Sequence, residues 1–540
     1  MSKPSQSKTY DAIVIGAGFA GMYMLHRLRQ LGMSARVYEA GENVGGTWFW
    51  NCYPGARCDV ESMQYSYSFM EDLQQEWVWS ERYPSQSEIL NYINHVADRL
   101  DLRLDIQCNT RVIAAHFDAA SKLWSVSTDQ GNDVRARFVI TATGCLSAAR
   151  VPDMAGLVSF KGKWYHTGQW PKNDVDFWGQ RVAVIGTGSS GIQLIPRVAQ
   201  QASSLTVFQR TPNFSVPALN RPLPVEEQNA WKAQYADYRE KARHTRSGIL
   251  YDYSSRATFD VSPEELNAEY ERRWAKGGAN FIHAFNDTFS NRASNELAAE
   301  FVRNKIRGIV KDPYVAEMLC PKDHAIGTKR ICVDTNYYVT FNLPHVKLVD
   351  LRAQAIQHID ENGIQTSAKH HAFDSIVFAT GYDAITGAID QIDIRNHHGV
   401  SLKDKWKQGP RTYLGLMTHG FPNLLFITGP GSPSVLSNVI VSIEQHVDLI
   451  ARFLAQMQSD QTALVEPLLS YEDQWVTHLA ALAAMTLFAD APSWYTGANI
   501  PGKTKVFVPY IGGVGTYRAL CEDVICDDCR GFQFSNEVNT

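Results

Sequence analysis

Three charged residues have the types and neighbours of a buried carboxylate with a cationic partner, an arrangement that can hold charge in a reaction site. Asp59 ends a glycine-rich and aromatic stretch, residues 45–58, where a buried carboxylate would need a cationic partner. Lys329 and Arg330 end a Gly-Thr-Lys-Arg segment and supply two adjacent cations. A guanidinium stays charged at any working pH and donates from a planar fork, so Arg330 could be the partner of Asp59. The sequence leaves a second interpretation open, in which both cations belong to a solvated turn.

Two glycine-rich loops predict two dinucleotide sites. Each follows a β-branched run and opens a helical pattern, which brings backbone N–H groups to a pyrophosphate at a helix N-terminus. The first loop contains Gly16, Gly18 and Gly21; the second contains Gly186, Thr187, Gly188, Ser189, Ser190 and Gly191, followed by Gln193. The first unit ends at Glu39, whose carboxylate suits ribose hydroxyls. The second ends at Arg210 and Thr211, where no acid would repel a phosphate, although Arg210 also fits a solvated surface charge. We therefore assign FAD to the first unit and NADPH to the second.

The elements that must position these residues form two similar strand–helix–strand units. The predicted strands of the two units are residues 11–15 and 36–39, then 181–185 and 205–208. Further strands are predicted at residues 346–349 and 375–378. Two strands run into Ala-Thr-Gly, at residues 142–144 and 379–381, which suits a chain that crosses twice between nucleotide domains. The predicted fold class is α/β, with two Rossmann-like dinucleotide-binding domains and a helical insertion.

The insertion is predicted from the dense charge and strong helix formers between about residues 220 and 320. Residues 262–265 read as a helix start with a capping box, because Ser, Pro and Glu occupy the N-cap, N1 and N3 positions. We expect it to lie within the second nucleotide domain. The predicted boundaries are 1–147 and 383–540 for the FAD-binding domain, 148–212 and 327–382 for the NADP-binding domain, and 213–326 for the helical subdomain.

Composition predicts a cytoplasmic enzyme. The 540 residues carry a net charge of −5, which argues against general nucleic-acid affinity. Residues 1–8 are polar and show no secretory signal, and no apolar run is long enough to span a bilayer. Nine cysteines argue against a disulfide framework, and the Cys526–Cys529 pair lacks the partners of a zinc site. We predict reduced thiols whose pKa values are raised by flanking acids, and no metal site.

A third motif lies between the two glycine loops. Its residues resemble the FxGxxxHxxxWP pattern of type I Baeyer–Villiger monooxygenases, which are class B flavoproteins: Phe160, Gly162, His166, Trp170 and Pro171. The resemblance runs from about residue 9 to about 517, with gap-free segments at residues 429–434, 442–446 and 493–503, and is nearest to the phenylacetone monooxygenase group. His166 invites an acid–base interpretation, but the resemblance places this motif at a hinge between domains. We therefore expect a linker role.

The resemblance implies that NADPH and O2, acting through a flavin C4a-peroxide, convert ketones to esters or lactones. Carried over by position, Arg330 is the arginine over the flavin ring, Lys329 contacts NADP, and Asp59 holds the arginine. Trp494 is the tryptophan of a loop that contacts NADP and substrate. Cys145 departs from the family pattern, because a Gln there contacts the nicotinamide in the nearest group. We add to the FAD site Gly46, Thr47, Trp48, Tyr65 and Val112. Composition alone also allows Trp48 to be a core residue.

The predicted ketone pocket is lined by Ser434, Val435 and Leu436, in a loop that resembles the longer loop of the phenylacetone group. This favours aryl or linear ketones over small cyclic ones, with sulfoxidation as a side activity. An N- or S-oxygenating flavin-containing monooxygenase is an alternative, although it usually lacks the Trp-Pro ending. A non-catalytic NADPH and flavin sensor is another. The expected partners are a small-molecule ketone and O2, without nucleic acid or membrane, and we expect a monomer.

Overall fold

The computed structural model describes residues 8–538. The prediction that no secretory signal is present concerns residues 1–8, of which residues 1–7 lie outside the described part. Two parallel-stranded units occupy this part and confirm the predicted α/β class with two dinucleotide-binding folds.

The strands are β1 (Thr9–Ile15), β2 (Ala35–Tyr38), β3 (Ile106–Gln107), β4 (Val112–Asp118), β5 (Leu123–Thr128), β6 (Asp133–Thr141), β7 (Ala148–Ala149), β8 (Lys163–His166), β9 (Arg181–Ile185), β10 (Ser204–Gln209), β11 (Ser215–Pro217), β12 (Cys332–Asp334), β13 (Val346–Asp350), β14 (Ile356–Ile359), β15 (Gly363–Thr366), β16 (His370–Ala372), β17 (Ser375–Phe378), β18 (Tyr382–Asp383), β19 (Asp393–Arg395), β20 (Leu424–Phe426), β21 (Leu464–Pro467) and β22 (Phe532–Ser535).

The α-helices are α1 (Phe19–Gln30), α2 (Thr47–Trp50), α3 (Glu71–Glu76), α4 (Gln86–Arg99), α5 (Ser189–Ala199), α6 (Val225–Lys232), α7 (Tyr235–Arg243), α8 (Pro263–Lys276), α9 (Arg292–Ile309), α10 (Pro313–Leu319), α11 (Tyr337–Thr340), α12 (Leu402–Lys405), α13 (Val439–Ser459), α14 (Leu469–Ala484) and α15 (Val514–Cys526).

The first sheet has the order β19-β4-β5-β6-β1-β2-β3, and β20 also pairs with β6. Its central strand β1 is parallel to both β6 and β2. The side chains of Ala12, Ile13 and Val14 are fully buried, because the sheet is covered on both faces. The predicted strand, glycine turn and helix therefore form as expected, and the turn lies at the carboxyl end of β1.

The second sheet is entirely parallel, in the order β13-β10-β9-β17-β8. Its central strand β9 leads into the second glycine loop and α5. In this register His166, the last residue of β8, pairs with Phe378 at the end of β17. The strand ends that carry the second glycine loop and the linker motif thus share one edge of the sheet.

The helical segment begins as predicted, since Ser262 and Glu265 form the reciprocal bonds of a capping box at α8. Its packing is divided between the two units. Leu223, Tyr235 and Ile249 join the hydrophobic cluster that surrounds α1. Residues from α8 onward, including Tyr270, Phe281 and Ala298, join the cluster around α5. The segment therefore lies in chain order where we expected it, but it packs on both nucleotide units and connects them.

The chain crosses between the two sheets twice, and the two crossings run side by side. Strand β7 on the outward crossing pairs antiparallel with β18 on the return, through Tyr382 with Ala149 and Asp383 with Ala148. The returning chain then completes the first sheet with β19 and β20. Within residues 8–538, no helix combines the length and the apolar character needed to cross a membrane.

Candidate active site

The first glycine loop forms a surface made of backbone. Gly16 has φ +106°, and a Cβ there would lie 2.6 Å from the Ala142 carbonyl oxygen. Gly18 faces Gly46 across a gap in which a Cβ on Gly46 would lie 3.0 Å from the Gly18 Cα. Gly21 is as restricted, since its Cβ would lie 1.8 Å from the Gly16 oxygen. This cradle at the N-terminus of α1 fits a pyrophosphate, which needs close approach of backbone N–H groups.

Glu39 lies beside this cradle at the end of β2, with 5% of its surface exposed. Its Oε2 accepts a hydrogen bond from the Ala17 N–H at 2.8 Å, and its Oε1 accepts one from the Gly41 N–H at 2.7 Å. Each oxygen keeps a second acceptor position. The carboxylate is therefore fixed in orientation and can still accept hydrogen bonds from the two hydroxyls of a ribose.

The aromatic part of the predicted FAD site is largely buried. Trp48 Nε1 donates to the Tyr65 hydroxyl at 3.1 Å, and their rings meet edge to face. Thr47 is the exposed first residue of α2. Val112, at the start of β4, is 3% exposed and belongs to a core cluster of the first sheet. Cofactor contacts at these four positions remain predictions.

The structure brings Asp59 and Arg330 together across 271 positions of sequence in a bidentate ion pair. Arg330 Nε donates to Asp59 Oδ2 at 2.7 Å and Nη2 donates to Oδ1 at 2.8 Å. Burial alone would raise the pKa of the Asp59 carboxyl, but the guanidinium holds that pKa below its usual value. The charge of Asp59 in turn raises the pKa of Arg330 well above its usual value. Both groups are therefore charged in the folded protein.

Arg330 also connects this pair to the predicted ketone pocket, because its Nη1 donates to the Val435 carbonyl at 2.8 Å. Val435 belongs to an apolar cluster with Phe289, Phe488 and Tyr495. We call these four residues the apolar cluster. The residues packed against it include Cys145, Leu436 and Trp494. Ser434 is 3% exposed and starts the helical turn that carries Val435. The predicted pocket residues, Trp494 and the arginine thus meet in one place.

The second glycine loop repeats the geometry of the first. Gly186 has φ +110°, and a Cβ there would lie 2.4 Å from the Ala379 oxygen. A Cβ on Gly191 would lie 2.2 Å from the Gly186 oxygen, whereas one on Gly188 would meet nothing within 4 Å. Gly188 therefore leaves open space at the N-terminus of α5, as a bound pyrophosphate requires. The hydroxyl of Thr187 donates to the Thr211 carbonyl at 3.2 Å and fixes the loop to the end of β10.

Three residues of α5 that we assigned to NADP bond within the protein. The Gln193 amide accepts from the Tyr53 hydroxyl at 2.8 Å and donates to the Arg57 carbonyl at 3.0 Å. Ser189 lies 3.3 Å from Cys332 through their Oγ and Sγ atoms. Ser190 interacts with the Tyr53 hydroxyl. The Gln193 and Ser190 contacts attach α5 to the segment that precedes Asp59, and the Ser189 contact attaches it to β12. A role for the three side chains at the nucleotide remains a prediction.

Three cations gather beyond the second glycine loop. Burial lowers the pKa of Lys329; Asp323 opposes this shift, and the positive charges of Arg210 and Arg352 add to it. Arg352 Nη2 lies 3.3 Å from the Thr211 hydroxyl, and the same nitrogen is paired with Asp323. Sequence reasoning missed Arg352, which follows β13, because β10 and β13 are neighbours only in the folded sheet. A predicted β10–β13 pairing would have revealed it.

His166 ends β8, and its ring lies edge to face with that of Tyr382 in the returning strand β18. Its Nδ1 accepts from the Gly168 N–H at 3.1 Å, and its Nε2 lies 3.3 Å from the Thr380 hydroxyl. Burial lowers its pKa, so the ring is neutral at pH 7. Both ring nitrogens have structural partners, and Thr380 lies between β17 and the returning strand β18. The linker role stays a prediction.

The other motif residues also have structural positions. Trp170 packs in one hydrophobic cluster with Tyr53, which precedes Asp59, and Phe160 is buried in a cluster of the second sheet. A Cβ on Gly162 would lie 2.4 Å from the Asp374 oxygen, while Pro171 is exposed. The motif therefore attaches the second sheet to the segment that carries Asp59.

The C-terminal cysteines do not form a ligand set. Within residues 8–538 no group of three or more His, Cys, Asp or Glu side chains could hold a metal ion. Cys521 and Cys529 are buried, and burial raises their pKa values to about 12 and about 11. We attributed raised pKa values to the flanking acids. Burial is the larger cause at both positions, since each side chain points into the core.

Comparison with known proteins places the whole chain among related enzymes. Residues 13–234 match a family model described as pyridine nucleotide-disulphide oxidoreductase. The chain is 40% identical to 2-oxo-Delta(3)-4,5,5-trimethylcyclopentenylacetyl-CoA monooxygenase of Pseudomonas putida, over 99% of this chain and 100% of that protein. It is 42% identical to a Baeyer–Villiger monooxygenase of Pseudooceanicola batsensis, over 94% and 93%.

Solved structures agree along nearly the full length. An oxidized steroid monooxygenase bound to NADP superimposes with a TM-score of 0.94 at 47% identity, over 98% of this chain and 100% of that one. The structure of OTEMO in complex with FAD and NADP superimposes with a TM-score of 0.95 at 40% identity and the same coverage. Both are therefore similar to this chain in sequence as well as in fold.

Proposed function

The chain belongs to the Baeyer–Villiger monooxygenases, flavoproteins that use FAD and NADPH, and we propose that it oxidises aryl-substituted or linear ketones in preference to small cyclic ones. The products are esters, or lactones where the ketone is cyclic. Oxidation of aryl sulfides to sulfoxides is the proposed side activity.

The residues of both nucleotide sites fit their cofactors. The Gly18–Gly46 gap and the oriented Glu39 carboxylate suit the pyrophosphate and ribose of FAD. The open Gly188 position and the cations Arg210 and Lys329 suit NADPH. When bound, these cofactors activate O2 at the expense of NADPH. The protein itself must bind the ketone, stabilise negative charge on oxygen and exclude water.

The observation that carries this proposal is the position of Arg330. Its five N–H groups include one bonded to Val435 O and two bonded to Asp59, so two remain for a ligand. Because Asp59 fixes the plane of the guanidinium, these donors are oriented before substrate binds. A preorganised donor of this kind stabilises the oxyanion that forms when a ketone carbonyl is attacked.

The proposed substrate class depends on the loop that contains Ser434 and Val435. Val435 is 5% exposed and packs with Phe289, so this wall of the pocket is apolar and aromatic. Such a wall suits aryl and alkyl groups. One methylene in an apolar pocket changes specificity by only about 1–3 kcal/mol. The order of kcat/KM among the ketones must therefore be measured.

The test is NADPH oxidation with product identification for phenylacetone, 2-octanone, cyclohexanone and an aryl methyl sulfide under identical conditions. We expect higher kcat/KM for the first two ketones than for cyclohexanone, and slower sulfoxide formation. A clear preference for cyclohexanone would overturn the substrate class and leave the reaction class intact. An amine oxidised in place of every ketone would overturn the reaction itself.

A further inference from the structure

Arg246 lies at the edge of the apolar cluster, in the turn that follows α7. Its guanidinium carbon is 5.0 Å from the centroid of the Phe289 ring. Phe289 packs on the loop that leads to Arg330, since a Cβ on Gly327 would lie 2.5 Å from its Cε1. Arg330 contacts the same cluster through Val435. Two arginines therefore border one apolar cluster, and Phe289 and Val435 lie between them.

The two arginines differ in their partners. Arg330 is neutralised by Asp59, whereas no carboxylate within residues 8–538 pairs with Arg246. Burial lowers the pKa of Arg246, and the group that opposes this shift is the Tyr253 phenol. Arg239 and Arg273 differ from Arg246, because Arg239 bonds to Gln74 and Ser66 and Arg273 bonds to Glu269. A partly enclosed guanidinium without a carboxylate partner is available to pair with an anionic ligand.

Arg246 is partly surrounded by protein and still reaches solvent. Enough protein surrounds it to lower its pKa, yet its side chain remains exposed. His283 is close enough for Arg246 to affect it, but burial lowers the His283 pKa to about 3, so this histidine is neutral. Arg273 also acts on His283 but is paired with Glu269, so Arg246 carries the unpaired positive charge here, which matches a monoanion.

The backbone around Arg246 is held in place by elements of the candidate active site. Its carbonyl accepts from the Val514 N–H at 2.8 Å, at the start of α15. The next carbonyl, of Ser247, accepts from the Asn438 N–H at 2.7 Å, directly after the loop that carries Val435. Two hydrogen bonds thus fix the backbone from which the Arg246 side chain extends toward Phe289.

We propose that Arg246 binds the carboxylate of an oxo acid, so that the preferred substrates are ketones with an apolar spacer and a distant carboxylate. The spacer lies along Phe289 and Val435, while the carbonyl lies at Arg330. A guanidinium donates two parallel hydrogen bonds to a carboxylate, which fixes the substrate end to end. The cofactor phosphates have their own sites at the two glycine loops and at Lys329, so they leave Arg246 free. This inference rests on the proposed ketone oxidation.

The experiment compares methyl-ketone acids of increasing length, from 4-oxopentanoate to 9-oxodecanoate, with their methyl esters. In the wild type we expect one length at which the acid exceeds its ester about tenfold or more in kcat/KM. Arg246→Gln should lower kcat/KM for that acid about 10- to 100-fold, since one charge-assisted contact is lost, and change that for the ester less than threefold. Arg256→Gln, at an exposed arginine of the same helical segment, is the matched control and should change neither.

A second measurement does not depend on turnover. Titration of the FAD-loaded enzyme with each acid and ester, followed by the flavin absorbance change, should show tighter binding of the acid in the wild type and not in Arg246→Gln. Equal binding of acid and ester in the wild type, or an acid preference that survives in Arg246→Gln, would overturn the inference.

Loss of the proposed function has a different signature, because neither esters nor 2-octanone would then give product. If Arg246→Gln retains no FAD, Arg246→Lys replaces it, and we expect it to keep part of the acid preference.

Discussion

Replacement of Arg330 by alanine should abolish most oxygenation while leaving FAD bound. The guanidinium bonds to Asp59 and Val435 and contacts none of the residues of the first glycine loop or Glu39. The flavin nucleotide site should therefore survive. Removal of one preorganised oxyanion donor lowers a rate by about 10²–10³, which corresponds to roughly 3–4 kcal/mol. Arg330 offers two free donors and a full charge, so the loss should reach the upper end of this range.

The substitution also affects stability, because Asp59 loses its counter-ion. A half-buried carboxylate left without its bonds costs about 1–3 kcal/mol, at the lower end here since part of the side chain reaches solvent. The double variant Arg330→Ala/Asp59→Ala removes this unpaired charge. We therefore expect the double variant to regain most of the unfolding free energy that Arg330→Ala loses. It should regain none of the activity. Lysine at position 330 restores charge without the planar fork and should recover only a small part of the rate.

The assay measures ester formed from phenylacetone by gas chromatography, NADPH consumed, bound FAD by absorbance, and unfolding in urea. Full FAD content with ester formation near the wild-type rate in Arg330→Ala would refute the assignment of this arginine. A double variant that regains activity together with stability would show that Arg330 acts through folding alone.

Arg210→Ala and Arg352→Ala should each raise KM for NADPH about ten- to hundredfold and leave NADH turnover nearly unchanged, because each removes one charge-assisted contact to the 2′-phosphate. Equal losses with both nucleotides would contradict the phosphate assignment. Burial lowers the pKa of His446 to about 4, so the unfolded chain binds a proton there before the folded protein does. His446 alone should therefore lower the free energy of unfolding by about 3 kcal/mol as the pH falls from 6.5 to 4, at roughly 1.4 kcal/mol per pH unit, and should have no effect above pH 6.5. Urea unfolding at pH 7 and pH 4.5 tests this, and a His446→Gln variant with the same acid loss as the wild type would disprove it.

Local sequence patterns were sufficient to predict both nucleotide units. A short β-branched run followed by glycines can be recognised within a few residues. Gly16 and Gly186 both adopt positive φ, which the local turn requires. Glu39 was predicted for the same reason, since it ends the strand next to the first loop. The capping box at Ser262 is equally local and was confirmed. These features depend on neighbours along the chain.

Features that depend on distant parts of the chain were harder to predict. A need for charge compensation at Asp59 suggested a cation, but only the family resemblance selected Arg330, which lies 271 positions away. Arg352 was missed because sheet order decides its neighbours. Arg246 was missed because Phe289 and Val435 come from separate segments that meet only after packing. The packing of the helical segment on both nucleotide units was also missed, because its contacts join segments that are distant in sequence.

The return of the chain to its first sheet has a consequence for synthesis in the cell. Strand β20 pairs with Val139–Thr141 of β6, so the ribosome must add about 280 residues after β6 before this edge of the sheet can be filled. At about 5–20 residues per second, the nascent chain waits roughly 15–60 s with an unpaired strand edge. Chains that end before β20 should therefore aggregate, and the yield of soluble protein should rise with slower initiation, lower growth temperature or added chaperones.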